Sequence, residues 1–202
     1  LYGRAKGYSI IKELVQNAVD SVRANGTRGV KIRNAYQSAD SAIPGDRGSS
    51  WISIEDDGTG MLPDDLSAVP LDDQFGKFLK LGGTGKAGET GAAGKFGTAK
   101  AILLNNPEVV IDTVAIDPKT GQKVHSVLFL REGDMQELYG NLASQLKPQI
   151  IEGVGDDVPT GTRVQIRTNH DQSMFQAKSY LKNIAGYGID GIDLDVNNVQ
   201  HG

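Results

Sequence analysis

Glu13, Asn17 and Asp20 are the side chains whose type and spacing most clearly suggest chemistry in this sequence. They stand at positions i, i+4 and i+7, so a helix would carry all three on one face. An acid, an amide and a second acid arranged in this way can hold a metal-bound phosphate and a water. A solvated helix surface has the same composition, so other parts of the chain must decide between these interpretations. The opposite side of the helix carries an apolar stripe, formed by Ile10, Ile11, Leu14, Val15, Ala18 and Val22.

A second candidate stands where a strand is predicted to end. Asp56 is followed by Gly58, Gly60 and Met61. A carboxylate at a strand end can accept a hydrogen bond from an exocyclic amine, and glycines allow a planar ring to approach the backbone. The same residues also suit a type I turn, which requires no ligand.

Two glycine-rich segments follow Asp56 in the chain. The second of them precedes a predicted buried helix at 97–104, and N–H groups at the start of a helix favour phosphate. A close contact between helix and sheet would explain the same glycines. The first, at 82–88, has Gly-x-Gly-x-x-Gly spacing, but no βαβ unit surrounds it, which argues against a dinucleotide site. The residues of the second segment are Gly94, Lys95, Phe96, Gly97, Thr98 and Ala99.

A fourth segment, Thr160-Gly-Thr162-Arg-Val-Gln-Ile166, begins a predicted late strand. In this order, the four segments resemble the ATP-binding domain of the GHKL superfamily, which includes gyrase B, the ninety-kilodalton heat-shock chaperones, histidine kinases and MutL. Asn17 and Asp20 are most similar to the asparagine-plus-acid pattern of the gyrase B, MutL and MORC branch. The resemblance implies an α+β fold of the Bergerat type, a two-layer sandwich in which helices cover one face of a mostly antiparallel, mixed sheet.

The resemblance also implies a role for each candidate residue. Asp56 would contact the adenine amino group, with Gly58, Gly60 and Met61 beside the base, and the Thr162 hydroxyl would help to hold that carboxylate or its water. On the helix, the residue expected to bind Mg²⁺ is Asn17, and the residue expected to activate the attacking water is Glu13. Asp20 would support the site through water.

The phosphates are expected beneath an ATP lid at 62–93. Lys86 resembles the lysine that follows a glycine pair in gyrase-type lids, so it could reach the terminal phosphate, although a solvated lysine would look the same. The N–H groups of residues 95–99 would stabilise phosphate charge. Ala99 stands where the family pattern Gly-x-x-Gly-x-Gly has its third glycine, and alanine is tolerated there if the residue is helical.

Three functions remain open from these patterns. The favoured one is Mg²⁺-dependent ATP binding and hydrolysis, with the nucleotide driving lid closure and homodimerisation of a larger protein. One alternative is a phosphotransferase of the histidine-kinase type, although His125, His170 and His201 stand in contexts that do not suit a phosphoacceptor. The other is a nucleotide sensor without hydrolysis, for which Ala99 leaves room.

The composition sets limits on partners and setting. The 202 residues suit a single domain over 1–202, which we expect to be an N-terminal fragment of a longer multidomain protein. The net charge of −4 argues against a broad basic surface for nucleic acid, which other domains could still bind. The chain has no cysteine, in keeping with a cytoplasmic location. No apolar run approaches the roughly 20 residues of a membrane span.

Periodicity predicts the elements that position these residues. The first helix is expected at 9–25, with Ser9 as N-cap and Gly26 as the stop. Strands at 30–36 and 51–55 are expected to form one hairpin, and strands at 109–117 and 123–131 another. A further strand at 164–167 and helices at 135–146 and 172–184 complete the prediction. The tail after Gly186 is left unassigned.

Overall fold

The structure is a computed structural model that describes residues 2–37, 40–46, 48–63, 108–131, 148–169 and 173–199. Several predictions lie outside these residues. They are the helices at 97–104 and 135–146, nearly all of the 62–93 segment, and the candidate residues Lys86, Gly94, Lys95, Phe96, Gly97, Thr98 and Ala99.

The first helix, α1, spans Tyr2–Asn25. Its predicted end is confirmed. Gly26 has φ of 73°, the Gly26 N–H bonds Arg23 O at 3.3 Å, and the Thr27 N–H bonds Val22 O at 3.0 Å. This pair of bonds is the Schellman arrangement, in which glycine at the left-handed position closes the helix. The predicted start was wrong, because Ser9 lies inside the helix. The residues before it include no proline, and glycine alone lowers helix stability without ending a helix.

Seven strands form one mixed sheet in the described residues, and all neighbours are antiparallel except β1 and β7. The sheet order is β5-β4-β3-β6-β2-β1-β7. The strands are β1 Gly29–Gln37, β2 Ser49–Asp56, β3 Glu108–Ile116, β4 Lys123–Arg131, β5 Gln149–Ile151, β6 Gly161–Asn169 and β7 Asp193–Val199. Both predicted hairpins are confirmed, β1 with β2 and β3 with β4. The chain therefore has an α+β fold.

A second described helix, α2, spans Ser173–Tyr187 and packs against α1 and β7. Its position agrees with the predicted helix at 172–184. Two strands were not predicted. β5 has three residues, and β7 lies within the tail after Gly186 that the sequence left unassigned. Both lie at the edges of the sheet, where each strand forms by pairing with a single neighbour, β4 for β5 and β1 for β7.

The hydrophobic core joins α1, α2 and one face of the sheet. Alternate residues of five strands point into it, and two rows of them cross the sheet in register. One row is Leu128, Ile111, Val164, Ile54 and Ile32, and the other is Leu130, Val109, Ile166 and Ile52. Against these rows pack Ile11, Leu14, Val15, Ala18, Val19 and Val22 of α1 and Leu181 of α2. Burial of this apolar surface is what fixes α1 over the sheet.

Candidate functional site

The polar side of α1 carries a half-buried column spaced by four residues: Glu13, Asn17 and Ser21. Oε2 of Glu13 is buried and receives no hydrogen bond from the described part of the chain. Asp20 differs from the column, because it is exposed and its Oδ1 accepts a 2.9 Å bond from Gln16 Nε2. Of the three predicted side chains on α1, Glu13 and Asn17 are therefore partly withdrawn from solvent, and Asp20 is not.

Asp56 is the last residue of β2, as predicted, and its carboxylate bonds to the turn that follows. Oδ1 accepts the Gly58 N–H at 2.9 Å. Burial raises the pKa of Asp56 from its usual 3.8 to about 6; nearby donors, the Gly58 N–H first, oppose the shift, and the neighbouring Asp57 charge adds to it. α1 meets the same turn through Ser21, whose Oγ accepts the Thr59 N–H at 3.2 Å.

The neighbouring acid, Asp57, has a different role. Its Oδ1 accepts the Gly29 N–H at 2.9 Å, and its carbonyl oxygen accepts Asn25 Nδ2 at 3.0 Å and Thr27 Oγ1 at 2.8 Å. These bonds join the strand end to the turn between α1 and β1. Asp57 therefore holds the fold together, whereas Asp56 Oδ1 bonds within its own turn, to the Gly58 N–H.

The glycines after Asp56 are explained by contacts within the protein. A Cβ on Gly58 would come within 2.1 Å of Ser21 Oγ on α1. Gly60 has φ of 71°, and a Cβ there would lie 2.0 Å from the Val114 carbonyl oxygen of β3. Close approach of two backbones is one of the uses of glycine, so neither residue requires a bound ring as its reason.

A row of polar side chains crosses the sheet from Asp56. In register, Asp56 pairs with Thr162, Thr162 with Thr113, and Thr113 with Ser126. We call these four residues the polar row. Thr113 Oγ1 lies 2.8 Å from Thr162 Oγ1 and accepts the Met61 N–H at 2.8 Å. The row thus places two of the predicted residues, Met61 and Thr162, around one buried hydroxyl.

Sequence reasoning did not single out Thr113 or the contact made by Ser21. A signal for Thr113 was available, because the inward positions of β3 read Val109, Ile111 and then threonine. A hydroxyl at a core position is unusual enough to mark as a candidate. Ser21 gave no comparable signal, since its partner, Thr59, lies 38 positions away.

Three of the four sequence segments meet at this place. α1 contacts the turn after the strand end through Ser21 Oγ, which accepts the Thr59 N–H at 3.2 Å, and the Thr160 hydroxyl donates to the Gly58 carbonyl oxygen at 2.7 Å. The described residues contain no group of three or more His, Asp or Glu side chains that could hold a metal ion. No helix in the described ranges is long and apolar enough to cross a membrane.

Comparisons with known proteins add little to this geometry. No protein-family model matches the sequence, and no curated protein matches it. One solved structure to which the chain is similar is described as the crystal structure of the N-terminal domain of a DNA repair protein, with 17% identity and a TM-score of 0.45. The match covers 94% of this chain and 48% of that one, so the chain spans about half the length of that protein. A likeness at this level carries no argument about function.

Proposed function

We propose that this chain is a GHKL-type ATP-binding domain of the Bergerat fold, which binds ATP with Mg²⁺ and hydrolyses it as part of a larger protein. The observation that carries the proposal is the contact of Ser21 with the turn that follows Asp56: Ser21 Oγ accepts the Thr59 N–H at 3.2 Å, and a Cβ on Gly58 would come within 2.1 Å of the same oxygen. Through this contact, the acid–amide column of α1 and the acid at the end of β2 belong to one site. A nucleotide whose base lies at Asp56 would then have its phosphates within reach of α1.

Asp56 supplies the recognition of the base. An ionised carboxylate only accepts hydrogen bonds and has about four acceptor positions. The Gly58 N–H occupies one of these positions, on Oδ1, which leaves capacity for a further donor. The amino group of adenine can be that donor, whereas guanine presents a carbonyl oxygen at the same position. The site should therefore prefer ATP to GTP.

Asn17 and Glu13 supply the phosphate end. The amide oxygen of Asn17 suits Mg²⁺, which prefers oxygen ligands and takes the remainder from phosphates and water. The ion would neutralise charge on the phosphates. Glu13, one turn earlier, has a buried oxygen that receives no donor from the described residues, and a water bonded there would be oriented for attack. The water oxygen attacks the terminal phosphorus, the bond to ADP breaks, and the Glu13 carboxylate takes the proton.

Further parts of the proposal rest on the sequence resemblance. They are an ATP lid at 62–93 with Lys86 at the terminal phosphate, a phosphate cradle at residues 94–99, and support from Asp20 through water. ATP-dependent homodimerisation of the full-length protein in the cytoplasm belongs with them.

Calorimetry with a non-hydrolysable ATP analogue and Mg²⁺ tests the binding. The matched variants are Asp56→Asn and Asp57→Asn, because the two acids are adjacent and the carboxylate of Asp57 is engaged by the Gly29 N–H of the fold. We expect Asp56→Asn to lower the preference for ATP over GTP, and Asp57→Asn to lower stability while keeping that preference. A folded chain that binds no nucleotide at millimolar concentration would remove the proposal.

A second pair of variants separates hydrolysis from binding. Glu13→Ala should slow hydrolysis by the full-length protein by about 10²–10⁴-fold and leave ATP affinity nearly unchanged, because Glu13 acts on the water. Asn17→Ala should weaken ATP binding as well, because it removes a ligand of the metal. Turnover by Glu13→Ala at the unmodified rate would exclude the role in water activation. Binding without turnover in the unmodified full-length protein would favour a sensor.

A further inference from the structure

We infer that Thr113 is a specificity-determining positioning residue, which holds the Thr162 hydroxyl as a hydrogen-bond acceptor toward the base. The inference rests on the proposed ATP site. Thr113 is almost fully buried, and it lies on β3, away from the segments that carry the family resemblance. Its hydroxyl oxygen has three close neighbours: the Met61 N–H at 2.8 Å, the Gly161 carbonyl oxygen at 3.1 Å and Thr162 Oγ1 at 2.8 Å.

Counting hydrogens gives the one arrangement that satisfies all three neighbours of the Thr113 hydroxyl. The Met61 N–H can only donate, so it occupies a lone pair of Thr113 Oγ1. Either threonine oxygen could donate across their 2.8 Å contact, but only donation by Thr162 leaves the single hydrogen of Thr113 for the Gly161 carbonyl, which can only accept. The proposed arrangement therefore uses the hydrogen of Thr162 for the contact between the two threonines. With its hydrogen engaged by Thr113, the Thr162 hydroxyl has only lone pairs left for other partners.

This arrangement decides what the base end of the site can recognise. Thr162 and Asp56 are directly paired across β6 and β2, on the same face of the sheet. With the Thr162 hydrogen engaged, both side chains present acceptors. An amino group carries two hydrogens and suits such a pair, directly or through one water. A carbonyl oxygen at the same position of the base finds no side-chain donor in either residue.

Ser126 provides a matched control in the same row. It pairs with Thr113 across β4 and β3, is completely buried, and its hydroxyl has no hydrogen-bond partner among the described residues. It therefore takes no part in the bonds that orient Thr162. Removing its hydroxyl changes the polarity of the row and leaves the Thr113–Thr162 contact in place.

The experiment compares ATP with ITP, which carries a carbonyl oxygen in place of the amino group, using non-hydrolysable analogues of both. Calorimetry with Mg²⁺ gives both affinities for the unmodified chain, Thr113→Val, Thr113→Ser and Ser126→Ala. Valine keeps the shape and removes the hydroxyl. We expect Thr113→Val to lower the ratio of ATP to ITP affinity by about 3–10-fold, mainly through tighter ITP binding, since it frees the Thr162 hydrogen to donate. Thr113→Ser should restore the original ratio, and Ser126→Ala should keep it.

Amide hydrogen exchange at Met61 measures the hydrogen bond to Thr113 without any nucleotide. Exchange should become faster in Thr113→Val and should not change in Thr113→Ser or Ser126→Ala. Equal weakening of ATP and ITP by Thr113→Val would mean a purely structural role and would overturn the inference. An unchanged ratio in a folded Thr113→Val chain would overturn it as well. If the unmodified chain binds neither nucleotide, the proposed function itself fails, and the inference fails with it.

Discussion

Two adjacent rows on the inner face of the sheet differ in chemistry although the same strands form them. The apolar row contains Leu128, Ile111, Val164 and Ile54. Two residues away on each strand, the polar row contains Ser126, Thr113, Thr162 and Asp56. Both rows are largely withdrawn from water, so burial alone would favour apolar side chains in both.

The difference shows where the fold gives up stability. In the polar row, hydrogen bonds satisfy Thr113 and Thr162, but burial still raises the pKa of Asp56 to about 6. Keeping a carboxylate there, and a hydroxyl without a described partner at Ser126, lowers stability relative to apolar residues. The proposed use in recognition would explain why such residues stand next to the core.

The largest effect is expected in the apolar row. Ile111→Ala should lower the free energy of unfolding by about 2–5 kcal/mol, because it leaves a cavity among fully buried side chains. Urea unfolding measures this loss. Nucleotide selectivity should survive in the fraction that remains folded. A change in selectivity similar to that of Thr113→Val would show that the two rows are not independent.

The next effect is a pH dependence caused by Asp56. The pKa of Asp56 is about 6 in the folded state and 3.8 as its usual value, so between these pH values the folded state holds a proton that the unfolded state has released. This contribution to stability is complete below pH 3.8 and is lost as the pH rises through about 6. We therefore expect Asp56→Asn to be more stable than the unmodified protein at pH 7, by on the order of 2–3 kcal/mol.

Urea unfolding at pH 4, 5, 6 and 7 tests this expectation. The stability difference between Asp56→Asn and the unmodified protein should grow across that range and level off above it. Asp57→Asn serves as the control, because its bonds to the α1–β1 turn predict a loss of stability instead. A difference that stays constant with pH would contradict the effect of burial on Asp56.

The smallest effect is expected on the outer face of β3, the strand that carries Ile111 and Thr113. Asp112, between Ile111 and Thr113, contacts His125 Nε2 at 2.6 Å and an Arg163 nitrogen at 3.5 Å, and all three side chains are partly exposed. Asp112→Asn should cost about 0.2–1 kcal/mol, and less in high salt, because solvent and ions screen such pairs. A loss as large as that of Ile111→Ala would show that this cluster is structural.

Much of the fold was predictable because it follows local patterns. Alternation in β3 and β4 with a turn between them predicts a hairpin, and Gly26 ends α1 through its positive φ. The start of α1 was not predictable from a single capping residue, since Ser9 can also lie inside a helix. β7 was not predictable from its residues either. Its polar sequence becomes a strand by pairing in parallel with β1, which begins 164 positions earlier.

The sequence by itself determined the apolar stripe of α1, the hairpins, and the position of Asp56 at the end of a strand, because these depend on periodicity and on near neighbours. Only the tertiary structure decided that Ser21 bonds Thr59 beyond the strand end, that Gly58 and Gly60 are required by α1 and β3, and that Thr113 lies beside Thr162. The physical reason is register. The hydrogen-bond ladder between strands and the packing of a helix on them bring together residues far apart in the chain, and no local pattern specifies those pairs.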